Sequence, residues 1–255
     1  MTPRIREALS HACAVGLAAL LLAGGSVLQA AEPVRREIVV VQELTPAVES
    51  ALPLADLRTA LEVLPRDLSA SDRLALVVFD AKARVVQRLD DPVAGLPAKL
   101  SGLAVCADGA SCYESDPAVA LAAARELFKG RPAGAERQIV LVSSGAPCQF
   151  EVNGPAPAGG GKPVRSTTGI SPLSAVKAAR ELRKAGVRIT AVVFPKERGA
   201  VCLPRGSQLD VRGNLIARQY AHAVSGGGPA LIAGEGRSFA ELLAAALAPA
   251  AAPAR

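Results

Sequence analysis

Residues 38–50 read IVVVQELTPAVES. Ile38 to Val41 form an unbroken β-branched run, the composition of a strand buried on both faces. The run stops on Gln42, Glu43, Leu44, Thr45 and Pro46. Helix-spaced apolar residues then follow over 47–64, with Pro53 either in the first turn or breaking the helix. A strand that ends on polar residues just before a helix puts those residues at the carboxyl edge of a sheet, where open α/β folds bind ligands. QELTP is therefore a site, the remnant of a site, or a plain turn.

The same alternation runs through the rest of the chain. RLALVVFD (73–80) reads as a buried strand, and AKARVVQRL (81–89) turns at once into an antiparallel edge strand. Residues 90–116 read as loop. Asp116 caps a helix that opens on Pro117 and ends at Gly130. RQIVLVSSG (137–145) is the next buried strand, and 146–170 is a Pro/Gly-rich insert. Helix 171–186, strand 187–195, a loop over 196–213, helix 214–227, strand 229–234 and helix 238–248 complete the order. Buried strands with crossover helices predict a doubly wound, mostly parallel α/β sheet with one antiparallel edge strand and helices on both faces. It forms a single domain over 36–248, and the tail 249–255 is expected to be disordered.

The first thirty residues stand apart. Arg4 and Arg6 precede an apolar stretch from Ala12 to about Leu22, and small residues lead to Leu28-Gln29-Ala30. This is the form of a secretory signal peptide cut after Ala30. The apolar run is short of the roughly 20 residues that span a bilayer, so the expected membrane contact is transient and the location periplasmic or secreted. Cleavage would remove two cations and one anion from a formal charge of +6, leaving +5. The remaining cations are scattered, and aromatic residues make up only 3%. Both features speak against nucleic acid as the partner.

The order and spacing of RLALVVFDAKARVVQRL, DPAVALAAARELFKG, RQIVLVSSG, AVKAARELRKAGVRITAVVF and AHAVSGGGPALIAGEGRSFAELLAAAL are similar to those of the von Willebrand factor type A domain, across about residues 36–248. In that family the first strand ends in Asp-x-Ser-x-Ser. A Thr precedes the middle helix, and an Asp follows the fourth strand. Together they hold a divalent metal whose shell an acidic group of the partner completes. The resemblance puts Gln42 at the first Asp, Leu44 and Pro46 at the two serines, Ser115 at the Thr and Ser144 at the last Asp. No carboxylate remains at either aspartate position, and Mg²⁺ needs hard, charged oxygen ligands. A register shifted by one gives Glu43-x-Thr45-x-Ala47, with one carboxylate and one hydroxyl. The resemblance thus implies a retained scaffold with a degenerate metal-ion-dependent adhesion site, no metal and no cofactor.

Other motifs give less. GGGK (159–162) is followed by Pro163 and does not match the phosphate-loop pattern. VSSGA (142–146) has Val142 where a hydrolase elbow needs Gly, and His222, the only histidine after the leader, falls in an amphipathic helix. Asp80, Asp90 and Asp91 read as solvated turn residues rather than paired catalytic carboxylates. The expected function is binding of another envelope or extracellular protein through the carboxyl edge, with Gln42, Glu43, Thr45, Ser115 and Ser144 as candidate residues. An envelope hydrolase using the same crevice is the alternative. An exported chain with Cys106, Cys112, Cys148 and Cys202 is expected to form two disulfides. The short CADGASC loop points to Cys106–Cys112. In the resembled sheet the strands leading to the other two cysteines are neighbours, which implies Cys148–Cys202.

Overall fold

The computed structural model describes residues 35–49, 51–105, 115–145, 149–153, 165–169, 172–194, 213–233 and 236–248. Strand β1 (Arg36–Glu43) lies inside a six-stranded sheet of order β3-β2-β1-β4-β7-β8. Its neighbours are β2 (Arg73–Phe79) and β4 (Glu136–Ser143), both parallel, with Val40 paired to Leu76 on one side and Val140 on the other. Beyond β4 come β7 (Arg188–Val193) and the short β8 (Ala230–Ile232), also parallel. Only β3 (Ala83–Gln87) runs antiparallel, folding back on β2 as the sequence predicts.

Strand alternation divides the core in two. Ile38 and Val40 of β1 face α2 (Leu54–Val63) and α7 (Phe239–Leu247), packing with Leu57, Leu61, Leu242 and Leu243. Val39 and Val41 face α4 (Pro117–Leu127), α5 (Pro172–Lys184) and α6 (Gly213–Ser225), packing with Leu121, Ala124, Ala179 and Val224. All four β1 residues are fully buried, and each such side chain contributes roughly 1.5–3 kcal/mol of hydrophobic stabilisation. This two-sided burial explains why β1 carries no polar position in its middle.

Two elements differ from the sequence reading, and an alternative it left open at Pro53 is decided. The helix expected over 47–64 is two helices, α1 (Pro46–Glu49) and α2, because Pro53 has no N–H to continue the first and serves as N-cap of the second. The loop expected over 90–116 contains a 3₁₀ turn (Val93–Gly95) and α3 (Leu96–Ser101), which buries Leu96 and Leu100 one turn apart. The insert 146–170 contains a separate antiparallel pair, β5 (Gln149–Asn153) and β6 (Arg165–Gly169). The other helices match, including the Asp116 cap, whose side chain accepts from the Ala118 N–H, and Pro117 in the first turn of α4. The leader, the tail and Cys106, Cys112, Cys148 and Cys202 lie outside the described residues.

Charged residues pin the amino edge of the sheet. Asp72 accepts from the Arg36 backbone N–H at 3.0 Å, from the Arg36 guanidinium at 2.6 and 3.1 Å, and from the Ser69 N–H at 2.9 Å. Arg36 also donates to the Leu247 carbonyl at 3.1 Å, tying the end of α7 to the start of β1. Glu37 is wholly buried and is surrounded by Arg131 at 3.0 Å, Arg35 at 3.4 Å and Arg137 at 3.6 Å. The three guanidinium groups offset the cost of burying this carboxylate.

Candidate functional site at the carboxyl edge

The polar end of β1 resolves into two faces. Gln42 follows the parity of Val40 and Glu43 that of Val41, so their side chains leave the strand on opposite sides. Gln42 is fully buried and donates through Nε2 to the Glu43 carbonyl at 2.7 Å, while its Oε1 has no partner among the described residues. Glu43 turns toward the α4–α6 face and meets the end of β4.

Both oxygens of Glu43 are engaged there. Oε1 accepts from Thr45 Oγ1 at 2.6 Å and from Ser144 Oγ at 2.9 Å. Oε2 accepts from the Ser144 backbone N–H at 2.8 Å. Glu43, Thr45 and Ser144 are 1%, 2% and 3% exposed, so water does not compete for these bonds. No ion pair includes Glu43 among the described residues, so neutral donors carry its charge. Hydrogen bonds to a charged group stabilise by about 1.5–3 kcal/mol each, more than neutral ones.

The shifted register, Glu43-x-Thr45, is therefore the one the side chains adopt, and Gln42 is not the residue that meets Ser144. Of the five candidate residues the structure joins three: Glu43, Thr45 and Ser144. Ser115 stands at the same edge, because the next residue, Asp116, donates its N–H to the Asp80 carbonyl at 2.9 Å just beyond β2. Ser115 Oγ is buried without a partner among the described residues and makes no bond to the trio. Ser143, next to Ser144, is turned inward and exchanges hydrogen bonds with the Gly145 backbone at 2.9 and 3.0 Å.

The donor set does not fit a divalent cation. It holds one carboxylate, already accepting three hydrogen bonds, and a serine where a second carboxylate would be needed to offset the charge. Among the described residues, no group of three or more His, Cys, Asp and Glu side chains is placed to hold a metal. Among the described residues, no histidine meets a serine at this edge. Ser144 Oγ donates to a carboxylate, and His222 is exposed on α6 with no hydrogen bond to either serine.

Sequence reasoning missed Tyr220. Its ring is buried on α6 in the core beneath this edge, and its hydroxyl has no partner among the described residues. Burial, then the charges of Glu43 and Asp116, push the phenol far above its ordinary range and keep it protonated. The signal was present in the helical spacing of Tyr220 and Val224, which puts both on the inner stripe of α6. Two exposed apolar side chains were also missed. Leu173, in the first turn of α5, is 74% exposed, and Val119, in the first turn of the adjacent α4, is 37% exposed. Both helices begin at the carboxyl end of the sheet, so these apolar groups lie toward that end of the fold.

No family model matches this chain, and no curated protein sequence matches it. Solved structures do. The pilus adhesin SpaC from Lactobacillus rhamnosus GG superposes with a TM-score of 0.59 at 9% identity, over 84% of this chain and 30% of that one. BatB from Bacteroides thetaiotaomicron, described as a conserved hypothetical protein, gives 0.55 at 14% identity, over 83% of this chain and 96% of that one. The vWF domain of the type V pili tip protein Mfa5 from Porphyromonas gingivalis gives 0.53 at 13% identity, over 86% and 98%. Identities this low speak to fold alone. With the strand order, the antiparallel β3 and the helices on both faces, they show that this chain has the fold of the von Willebrand factor type A domain.

Proposed function

We propose that this chain is an exported binding protein that engages another protein at the carboxyl edge of its sheet without a divalent metal. The observation that carries the reading is the Glu43 trio. Among the described residues, the carboxylate at the edge's centre is Glu43, and it is consumed in holding Thr45 and Ser144, so the edge is set by internal hydrogen bonds. Leu173 and Val119 then supply apolar area of the kind that anchors interfaces on a rigid scaffold. A pilus adhesin and a pilus tip protein among the structural neighbours are in keeping with a protein partner. The signal-peptide form of residues 1–30 and the four cysteines beyond it favour an envelope or extracellular setting.

The test is affinity capture from an envelope extract with the chain beginning at Ala31, run in excess EDTA and in Mg²⁺. One partner is expected in equal amount under both conditions, and it should be lost when Leu173→Glu and Val119→Glu are introduced together. Capture that requires Mg²⁺, or that the double variant leaves unchanged, overturns the reading.

A further inference from the structure

The two free edges of the sheet are unlike. On one side β8 has three residues, Ala230–Ile232, and no charge, and shortness alone protects such an edge. On the other side β3 has five residues and pairs only with β2 among the described residues. Edge strands present unpaired backbone N–H and C=O groups, and those of β3 lie in a regular ladder where Ala83, Arg84 and Val85 oppose Phe79, Val78 and Val77. The irregularity in this pairing falls further along, between Leu76 and Val77, so it does not disturb that half.

The exposed charged side chains of β3 and the residues flanking it are mainly cationic. Lys82, Arg84 and Arg88 are all exposed, and none of their charged groups is in an ion pair or hydrogen bond among the described residues. The acids at the far end are already used: Asp91 binds Lys99 at 2.6 Å, and Asp90 binds Arg131. Asp80, at the near end, accepts the Lys82 backbone N–H at 2.9 Å. Between them sits Val85, 39% exposed, one of three large apolar side chains so exposed among the described residues. Arg84 and Val85 are consecutive, so they present a cation on one face of the sheet edge and an apolar group on the other.

We propose that β3 receives an extended acidic segment of a partner protein as an added strand. Main-chain hydrogen bonds would supply affinity, and alternate side chains specificity, with acids toward Arg84 and apolar residues toward Val85. The exposed arginines also disfavour pairing with a second copy of this chain, since β3 against β3 would bring Arg84 and Arg88 of both copies together. This surface is separate from the carboxyl edge and independent of the function proposed for it.

The probe is an acetylated, amidated Glu-Val-Glu-Val-Glu-Val-Glu peptide carrying a fluorophore, titrated with the chain beginning at Ala31 and read by anisotropy. Two further peptides carry N-methyl groups on the odd or on the even residues. Alternate N–H groups of a strand point to opposite sides, so one methylation pattern should abolish binding and the other retain it. Arg84→Glu with Arg88→Glu, both exposed and with an unchanged melting temperature, should weaken the parent peptide by at least about tenfold. No binding of the parent peptide overturns the proposal. So do equal binding of both methylated peptides, which would mark a simple polyanion patch, and an unchanged affinity in the charge-reversed variant.

Discussion

Glu43, the last residue of β1, accepts two hydrogen bonds from Ser144, just past the end of β4: the backbone N–H at 2.8 Å and Oγ at 2.9 Å. One side chain thereby fastens the ends of two adjacent parallel strands, and Thr45 adds a third bond at 2.6 Å from the turn into α1. The carboxyl edge of the sheet is stitched here by protein groups.

Removal of this stitch should be costly. Glu43→Ala leaves three buried donors without an acceptor and should destabilise the fold by about 3–5 kcal/mol. Ser144→Ala keeps the backbone bond and should cost about 1 kcal/mol. Glu43→Gln turns an NH₂ group toward donors on one side and should fall between the two. Urea unfolding followed by far-UV circular dichroism measures all three. Equal, negligible losses would show that the trio does not hold the edge.

The Arg36–Asp72 cluster gives the fold an acid limit. Burial raises the Asp72 carboxyl, but the Arg36 guanidinium and the Ser69 and Arg36 N–H groups outweigh it, and the net shift is downward. A depressed folded-state pKa means the stabilisation is present above the unfolded value of about 3.9 and is lost as pH falls through the lower folded value. Stability should therefore drop below about pH 4. Asp72→Asn should cost about 2 kcal/mol at pH 7 and flatten that drop. Paired melting curves at pH 7 and pH 3 check it; an Asn variant that loses stability in parallel with the parent would contradict it.

The proposed export would leave two chemical marks. Protein recovered from its native envelope should begin at or near Ala31, as read by N-terminal sequencing. Non-reducing peptide mapping should link Cys106 to Cys112 and Cys148 to Cys202. A Cys106 peptide joined to Cys148 or Cys202 contradicts the pairing, and full alkylation without reductant contradicts both bridges.

Most of the scaffold was legible because its signals are local and strong. Ile38–Val41, Leu74–Phe79 and Ile139–Val142 are apolar runs too long to face water, and Asp116-Pro117 marks a helix start by side-chain chemistry alone. What was not legible depends on partners distant in sequence. Glu37 interrupts a buried strand, and two of the three cations that make that tolerable, Arg131 and Arg137, lie some hundred residues on. The β5–β6 pair lies in a stretch dominated by Pro and Gly, where the brief alternation of Phe150 and Val152 is swamped. For the trio, the sequence left two registers open. Which of Gln42 and Glu43 points toward Ser144 follows from strand parity, since a one-residue slip exchanges the faces of a sheet. That parity is set by Val39 and Val41 packing beneath α4–α6, and spacing alone does not reveal it.

The central claim is that the Glu43–Thr45–Ser144 trio stands in place of a metal. Calorimetric titration of the chain beginning at Ala31 with Mg²⁺, Mn²⁺ and Ca²⁺, alongside Glu43→Ala, tests it directly. The account predicts no saturable heat below about millimolar cation for any of the three ions, because one carboxylate that already accepts three hydrogen bonds cannot hold a divalent charge. A tight site present in the parent chain and abolished by Glu43→Ala would contradict it.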